Sequence, residues 1–323
     1  MPDLITATDD QRRFILAAMR HVAIAGGRFQ LSAPSARSLR SAAQHMFQQS
    51  EQLDLSKLPE VSPREVASLL SSRDQAEMTV RFLAVTALVD GELNRARIEA
   101  VLAFADALGI RADYVTHLQR SIEGDLQWAL NDMSRQNILS LWNEPWDESI
   151  DINDVFLPYK GGNADPVLAA RYHALERLPS GTVGRAFSEI YRANGYAFPG
   201  EEKAVNVRFA TPHDATHVVS GYDTSPRGEI LVSTFTAGMH AVRPMEGHIL
   251  PVLYSWHLNI KINDLAGAAS GQLDPVGFWE AWARGARAKV DLFSPAWDFW
   301  AVAGEPVESA RSFYGVIPLS KVH

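Results

Sequence analysis

The chain has 323 residues, of which 46% are hydrophobic and 21% charged, as is typical of a folded globular protein. Its formal net charge is −8, so the basic surface that binds nucleic acid is not expected. It has no cysteine, which excludes disulfides, thiolate metal sites and a thiol nucleophile.

The amino-terminal sequence is acidic and lacks the apolar segment of a signal peptide. The longest apolar stretch, 249–256, is far shorter than the roughly 20 residues of a membrane-spanning helix. We therefore expect a cytoplasmic protein whose membrane contact, where present, is peripheral.

Two helical hairpins are predicted in the first part of the chain. Apolar residues recur at steps of three and four over 14–49, around a break at Gly26 and Gly27, and again over 77–110, around Gly91. Between them, Ser62 and Pro63 have the residue types of a helix cap and a first helical position.

The segment 75–138 resembles the tellurite-resistance TerB-like helical domains, through Val-Asp-Gly-Glu at 89–92 and Ala-Leu-Gly-Ile at 107–110. In such domains, acidic residues around the Asp-Gly turn hold a divalent cation. The resemblance places Asp90 and Glu92 at those positions. The alternative is a surface turn with solvated carboxylates.

A linker rich in turn-forming residues is predicted over 142–163, and helical spacing resumes after it. We find no alternating strand pattern. The sequence therefore predicts an all-α fold with two helical domains, 1–140 and 141–323. The second is expected to be a helical bundle with a metal site between two adjacent helices.

The motif that best indicates a chemical function consists of His213, Asp214 and His217. On a helix they fall within about 100° of arc, so two imidazoles and a carboxylate face one way. We expect Thr211 to cap this helix and Gly221 to end it, with Pro212 at the first helical position.

Glu229 follows a turn sequence and opens the next predicted helix, which can return its carboxylate to the two imidazoles. Two nitrogen and two oxygen ligands suit zinc or a related divalent ion. Asp214 is either a fourth ligand or an acceptor for an imidazole N–H. The alternative is a chance pairing of two histidines beside abundant acids.

Several familiar catalytic motifs are excluded. The metalloprotease motif has a glutamate after its first histidine, where this chain has Asp214, one methylene shorter. The Gly-x-Ser-x-Gly elbow of serine hydrolases and the glycine-rich phosphate loops are absent.

The chain has the motif His-Asp-x-x-His at 213–217, followed by eleven residues and then Glu229. This pattern resembles the defining motif of the coenzyme Q (ubiquinone) biosynthesis protein 4 family. The segment 178–187, Leu-Pro-Ser-Gly-Thr-Val-Gly-Arg-Ala-Phe, is similar to that family's Leu-Pro-x-Gly-Thr-x-Gly-Arg-Ala-Tyr, and Arg208 precedes the motif. The resemblance covers about 165–318 and includes a carboxy-terminal pattern with these residues: Gly285, Ala288, Lys289, Trp297, Asp298, Pro306, Val307, Arg311, Gly315 and Val316.

The resemblance implies a helical fold in which His213, Asp214, His217 and Glu229 bind zinc or another divalent cation. It also implies removal of the ring carboxylate of a polyprenylated ubiquinone precursor, in an oxidative variant with hydroxylation at that carbon. Asp214 is then the candidate catalytic residue. The expected partners are a polyprenylated quinone precursor or another prenyl lipid, and other ubiquinone-biosynthesis proteins.

The chain departs from the family pattern beside the motif. The usual Arg-Tyr-Arg-Glu is Arg-Phe-Ala-Thr at 208–211, and the usual aromatic pair inside the motif is Ala215 and Thr216. Both changes make the site wall smaller or less polar, so the substrate can differ while the ligands are kept.

Other residues have two interpretations. The apolar residues of 249–256 either line a groove for an isoprenoid tail or pack in the core. Arg185 and Arg311 match the family pattern but are equally suited to structural ion pairs. The other histidines of the second domain are interpreted as surface or capped-core residues: His240, His248 and His257.

Three functions compete. The first is a metal-dependent enzyme of prenylated quinone metabolism. The second is a lipid-binding organiser of a biosynthetic complex, in which the metal is structural. The third, a stress-linked metal-binding module, follows only from the TerB-like segment. A metal site open on one side favours the first.

Overall fold

The computed structural model describes residues 5–49, 53–70, 72–142, 151–263 and 267–319. Apart from two isolated β-bridges, the regular structure of these residues is helical, which confirms the predicted all-α fold. The α-helices in chain order are α1 (Asp9–Ala23), α2 (Ala33–Met46), α3 (Pro63–Leu69), α4 (Arg73–Leu88), α5 (Arg95–Ala107), α6 (Asp113–Glu123), α7 (Leu126–Leu141), α8 (Ile152–Phe156), α9 (Pro166–His173), α10 (Val183–Asn194), α11 (Val207–Ser220), α12 (Pro226–Met239), α13 (Leu250–Trp256), α14 (Pro275–Ala286), α15 (Phe299–Val302) and α16 (Val307–Tyr314).

Both predicted hairpins are confirmed. Helices α1 and α2 are separated by a 3₁₀ turn, Ala25–Gly27, in which Gly26 and Gly27 have φ of 65° and 95°. The left-handed region suits glycine because it has no Cβ. Helix α3 has the predicted cap, since Ser62 and Glu65 form a reciprocal capping box and Pro63 is the first helical residue.

The described residues group into two compact units. The first lies within Met1–Met133 and Ile249–Ala283. In its core the ring of Trp279 lies 4.9 Å from that of Phe82, and its indole N–H donates a hydrogen bond to Ser38 Oγ at 2.9 Å. The predicted boundary at 140/141 differs from this division, because residues far along the chain complete the first core and helical periodicity does not report such contacts.

The second unit lies within Ser134–His248 and Arg284–His323. Its central helix is α11, which packs against α10, α12, α15 and α16. The motif residues are on this helix, so neighbouring helices hold the candidate site from several sides.

The predicted linker overlaps 143–150, which lies outside the described residues. Part of its remainder forms α8, where Asp151 Oδ1 accepts a hydrogen bond from the backbone N–H of Asn153. Among the described helices, none has both the length and the apolar character needed to cross a membrane.

Candidate metal centre

The motif helix begins earlier than the sequence predicts. Asn206 caps α11 by accepting a hydrogen bond from the N–H of Arg208 at 3.0 Å, so Thr211 and Pro212 lie inside the helix. The predicted cap at Thr211 is therefore wrong. Asn206 is an equally good capping residue five positions upstream, and the helix tolerates the one backbone hydrogen bond that Pro212 cannot donate. Gly221 ends the helix as predicted, with φ of 82°.

The start of α12 places Glu229 in its first turn. Ser225 caps the helix and Pro226 is its first residue. Position 228 requires glycine, because a Cβ there would lie 2.0 Å from the carbonyl oxygen of Asp223. This tight turn returns the chain so that α12 runs beside α11 with the Glu229 carboxylate facing the motif.

Three of the four predicted ligands converge closely. The Nε2 atoms of His213 and His217 are 3.3 Å apart. One oxygen of Glu229 lies 3.3 Å from Nε2 of His213, and the other lies 3.4 Å from Nε2 of His217. The expectation that a neighbouring helix returns this carboxylate to both imidazoles is met by the geometry.

These separations fit the donor set of one metal ion. Zinc bonds of about 2.0–2.1 Å in a tetrahedron place neighbouring donor atoms about 3.3–3.4 Å apart. The donor atoms of His213, Asp214 and His217 also lie within 4.8 Å of one another, and within the part of the chain that the structure describes they form the one group of this kind. The group can therefore hold a metal ion.

The second nitrogen of His217 determines which form of the ring faces the site. Nδ1 lies 3.0 Å from the carbonyl oxygen of Tyr222, to which it donates a hydrogen bond. In the neutral ring this leaves the lone pair on Nε2, directed toward His213 and Glu229. The side chain of His217 is thus oriented as a ligand by Tyr222, the second residue after the helix.

Asp214 is buried and is held by a residue that the sequence analysis missed. Its Oδ2 accepts a hydrogen bond of 2.6 Å from the hydroxyl of Tyr191 on α10. Burial raises the pKa of Asp214, although the two motif histidines and Tyr191 act in the opposite direction. Tyr191 lies one turn after Phe187 and stacks on it at 4.7 Å, so the apolar face of α10 was the available signal.

Opposite charges within the site counteract the effect of burial on the pKa values of Glu229 and His217. Burial alone would raise the pKa of Glu229, but the hydrogen bonds and charges of His213 and His217 lower it to about 2. Burial would likewise lower the pKa of His217, which the Glu229 carboxylate instead raises. A cation held by His213, His217 and Glu229 would replace the protons that the imidazoles share with this carboxylate.

One side of the site remains open. The side chains of His213 and Glu229 are 15% and 18% exposed, whereas that of His217 is 1% exposed. Phe209, one of the departures from the family pattern, stacks on His213 with ring centroids 5.0 Å apart. The ring of His213 is therefore packed against an aromatic neighbour on its own helix.

Two arginines fix the end of α11. Arg311 donates hydrogen bonds of 2.9 Å to the carbonyl oxygens of Val218 and Val219, and Arg284 donates one of 2.8 Å to that of Ser220. Arg311 also pairs with Glu308 at 2.6 Å, which is the kind of structural ion pair that its second interpretation expects. Arg185 bonds to Glu189 on its own helix at 2.7 Å.

The candidate cation turn in the first unit has a different arrangement. Asp90 Oδ2 lies 2.5 Å from Nη2 of Arg97, and Glu92 lies 3.4 Å from Nη1 of the same guanidinium. The hydroxyl of Ser32 also donates to Asp90 at 2.5 Å. Both carboxylates thus have a buried arginine as their partner; Asp90 is largely enclosed, whereas the side chain of Glu92 is 57% exposed, as in a surface turn.

The apolar segment 249–256 packs mainly in the first unit. The following side chains of this segment are completely buried: Ile249, Leu250, Leu253 and Tyr254. This arrangement favours core packing over a groove. His257 is also a core residue, as expected, with Nε2 3.0 Å from the carbonyl oxygen of Val89.

Comparisons of the chain with protein-family models, with curated proteins and with solved structures found no match. The function of this centre therefore has to follow from the chemistry of its residues.

Proposed function

We propose that this chain is a metal-dependent enzyme of prenylated quinone biosynthesis that removes the ring carboxylate of a polyprenylated hydroxybenzoate-type precursor. The observation that carries the proposal is the convergence of His213, His217 and Glu229 at 3.3–3.4 Å. The motif that these residues form with Asp214 is the one that resembles the coenzyme Q biosynthesis protein 4 family. Zinc is the proposed ion, since two imidazoles and two carboxylates suit it.

An open face supports an enzyme over a purely structural centre. Structural zinc sites are closed to solvent, whereas catalytic sites keep a position for water or substrate and can expand to five ligands when it binds. His213 and Glu229 are partly exposed. A substrate carboxylate or phenolate approaching from the open face reaches the ligand atoms directly.

A bound divalent ion supplies a Lewis acid that stabilises negative charge on a substrate oxygen. His213, His217 and Glu229 would hold the ion, and Tyr222 keeps the lone pair of His217 on Nε2. Asp214, the proposed fourth ligand and catalytic residue, is fixed by Tyr191. These fixed groups are already oriented before the substrate binds, so little reorganisation opposes the reaction.

The proposed reaction breaks the bond between the ring carbon and the carboxylate carbon. The electron pair of that bond stays on the ring, carbon dioxide leaves, and the ring carbon takes a proton. In the oxidative variant, the carbon gains a hydroxyl group from water instead, and dioxygen takes up the two electrons and leaves as hydrogen peroxide. The product distinguishes the two reactions.

The proposed partners are a polyprenylated quinone precursor and other proteins of the same biosynthesis. A substrate with a long isoprenoid tail resides in a membrane, so the proposal includes peripheral contact of a cytoplasmic protein with the inner membrane face. The competing function is an organiser of the biosynthetic complex with a structural metal.

The test is release of labelled carbon dioxide from a prenylated hydroxybenzoate that carries the label in its carboxylate. We expect release by the zinc-loaded protein and loss of release after chelation or in Glu229→Gln. Zinc binding without release, in a protein that still binds the prenyl lipid, would support the organiser instead.

A further inference from the structure

The first unit carries a strongly basic segment that the net charge of the chain conceals. Residues 11–50 contain six arginines and neither aspartate nor glutamate, although the whole chain has a formal net charge of −8. The segment covers most of α1, the 3₁₀ turn and α2. The remainder of the chain is therefore more acidic than its net charge indicates, and positive charge is concentrated on one helical hairpin.

Helix α2 presents part of this charge to solvent. Arg37, Arg40 and Gln44 follow one another at steps of three and four residues, so they share one face of the helix, and all three are exposed. The opposite face is buried in the first unit. Within the part of the chain that the structure describes, neither Arg37 nor Arg40 makes a hydrogen bond or an ion pair. Two guanidinium groups are therefore available to an anionic partner.

The connection before α2 adds an exposed aromatic ring. Phe29 is 39% exposed, and its ring lies 5.4 Å from the guanidinium carbon of Arg97, which packs on it from below the surface. Arg28 lies 4.0 Å from a carboxylate oxygen of Glu99, and its side chain is still 68% exposed. This connection thus places an apolar ring beside a third accessible arginine.

The connection and the helix form one continuous surface. Ala33, the first residue of α2, lies one turn before Arg37 and is exposed as well, so it joins the two parts. We call this surface the basic face and define it by these residues: Arg28, Phe29, Arg37 and Arg40.

The composition of the basic face suits the surface of an anionic membrane. A guanidinium group is planar and donates paired hydrogen bonds to phosphate oxygens. An aromatic side chain beside basic residues enters the boundary between headgroups and acyl chains. Because the rest of the chain is acidic, an anionic membrane repels it, and the attraction is directed to the basic face.

We propose that the basic face binds the phosphate headgroups of an anionic membrane. The choice of a membrane as partner rests on the proposed function, in which the isoprenoid tail of the substrate resides in a bilayer. That function includes membrane contact but assigns no surface to it. The competing polyanion is nucleic acid, for which the proposed function has no role and which the test includes.

The first test measures how the full chain partitions onto vesicles of phosphatidylcholine, with and without phosphatidylglycerol as the anionic lipid, by sedimentation. The variant is Arg37→Gln/Arg40→Gln. The matched control is Arg177→Gln/Lys203→Gln, which removes two exposed positive charges from the second unit. Because all four side chains are exposed, circular dichroism should show the helical content of the wild type in both variants.

We expect the wild type to bind only the vesicles that contain phosphatidylglycerol. The variant without Arg37 and Arg40 should have a partition coefficient about 25-fold lower, since each arginine near anionic lipid contributes about fivefold. The control variant should bind as the wild type does. High salt should abolish binding of the wild type, because ions screen contacts at an exposed surface.

A second measurement locates the contact. The chain has no cysteine, so one introduced cysteine carries an environment-sensitive fluorophore at a single position. Gln44→Cys places it on the exposed face of α2, one turn after Arg40, and Ala164→Cys places it at an exposed position of the second unit. Anionic vesicles should shift the emission to the blue at position 44 and leave it unchanged at position 164. The opposite result would overturn the inference.

The outcomes separate this inference from the proposed function. Equal vesicle binding by the wild type and Arg37→Gln/Arg40→Gln would overturn the inference, as would binding of an oligonucleotide by a chain that does not bind vesicles. Release of carbon dioxide by a chain that does not bind anionic vesicles would overturn the inference and support the proposed function. Vesicle binding that depends on Arg37 and Arg40, without release of carbon dioxide, would support the inference and contradict the enzymatic proposal.

Discussion

Nδ1 of His217 donates a hydrogen bond to the carbonyl oxygen of Tyr222 across 3.0 Å. This contact joins a candidate ligand to the second residue after the end of its own helix. The Gly221 left-handed turn makes the contact possible, since it folds the chain back over the last turn. The orientation of the ligand therefore depends on how firmly the end of α11 is held.

Arg311→Met tests this dependence. The substitution removes the hydrogen bonds to the carbonyl oxygens of Val218 and Val219 and a positive charge at the negative end of the helix dipole. We expect the free energy of unfolding to fall by about 1–2 kcal/mol, and zinc affinity to fall as well. Chemical denaturation and zinc titration measure the two effects. Arg177→Met, at an exposed position, is the control, and equal stability of the two variants would contradict the expectation.

Tyr191→Phe tests the support of the buried carboxylate. The variant leaves Oδ2 of Asp214 without its donor. We expect the metal-free protein to lose about 1–3 kcal/mol of stability and zinc to bind about 10–100-fold more weakly. Tyr196→Phe, at a side chain that is 44% exposed, is the matched control. If both variants bind zinc as the wild type does, Tyr191 does not position the site.

The dependence of stability on pH tests the neutral state of His248. Burial, with the charges of His240 and His213, lowers the pKa of this residue to about 3 in the folded protein, compared with about 6.5 in the unfolded chain. Between these values the unfolded state binds the proton and the folded state does not, so stability falls as the pH falls below about 6.5.

We expect this residue to contribute a loss of about 2 kcal/mol between pH 7 and pH 5. Unfolding of wild type and His248→Gln is compared with a chelator present, because the difference between the two curves removes contributions from other groups. Parallel curves would show that His248 is not held neutral.

The helical elements were largely predictable because their signals are local. The cap at Ser62 and Pro63 and the helix stop at Gly221 depend on residues within a few positions. The start of α11 was misplaced because two good capping positions, Asn206 and Thr211, lie close together. Local patterns do not decide between them, whereas packing of the whole helix does.

The candidate site was predictable only in part. The four-residue spacing on one helix brings His213 and His217 together. The turn between α11 and α12 brings Glu229 back beside them. Tyr191 comes from another helix, and no periodicity relates it to Asp214. His248 was interpreted as a surface or capped-core residue, and its contact with Ser140, 108 positions away in the chain, has no local sequence signal.

The most direct measurement is the zinc content of the purified full chain, of His217→Ala and of the control His173→Ala. We predict about one ion per chain in the wild type and in the control, and loss of the ion in His217→Ala with helical content retained. Equal zinc content in wild type and His217→Ala would contradict the proposed metal centre.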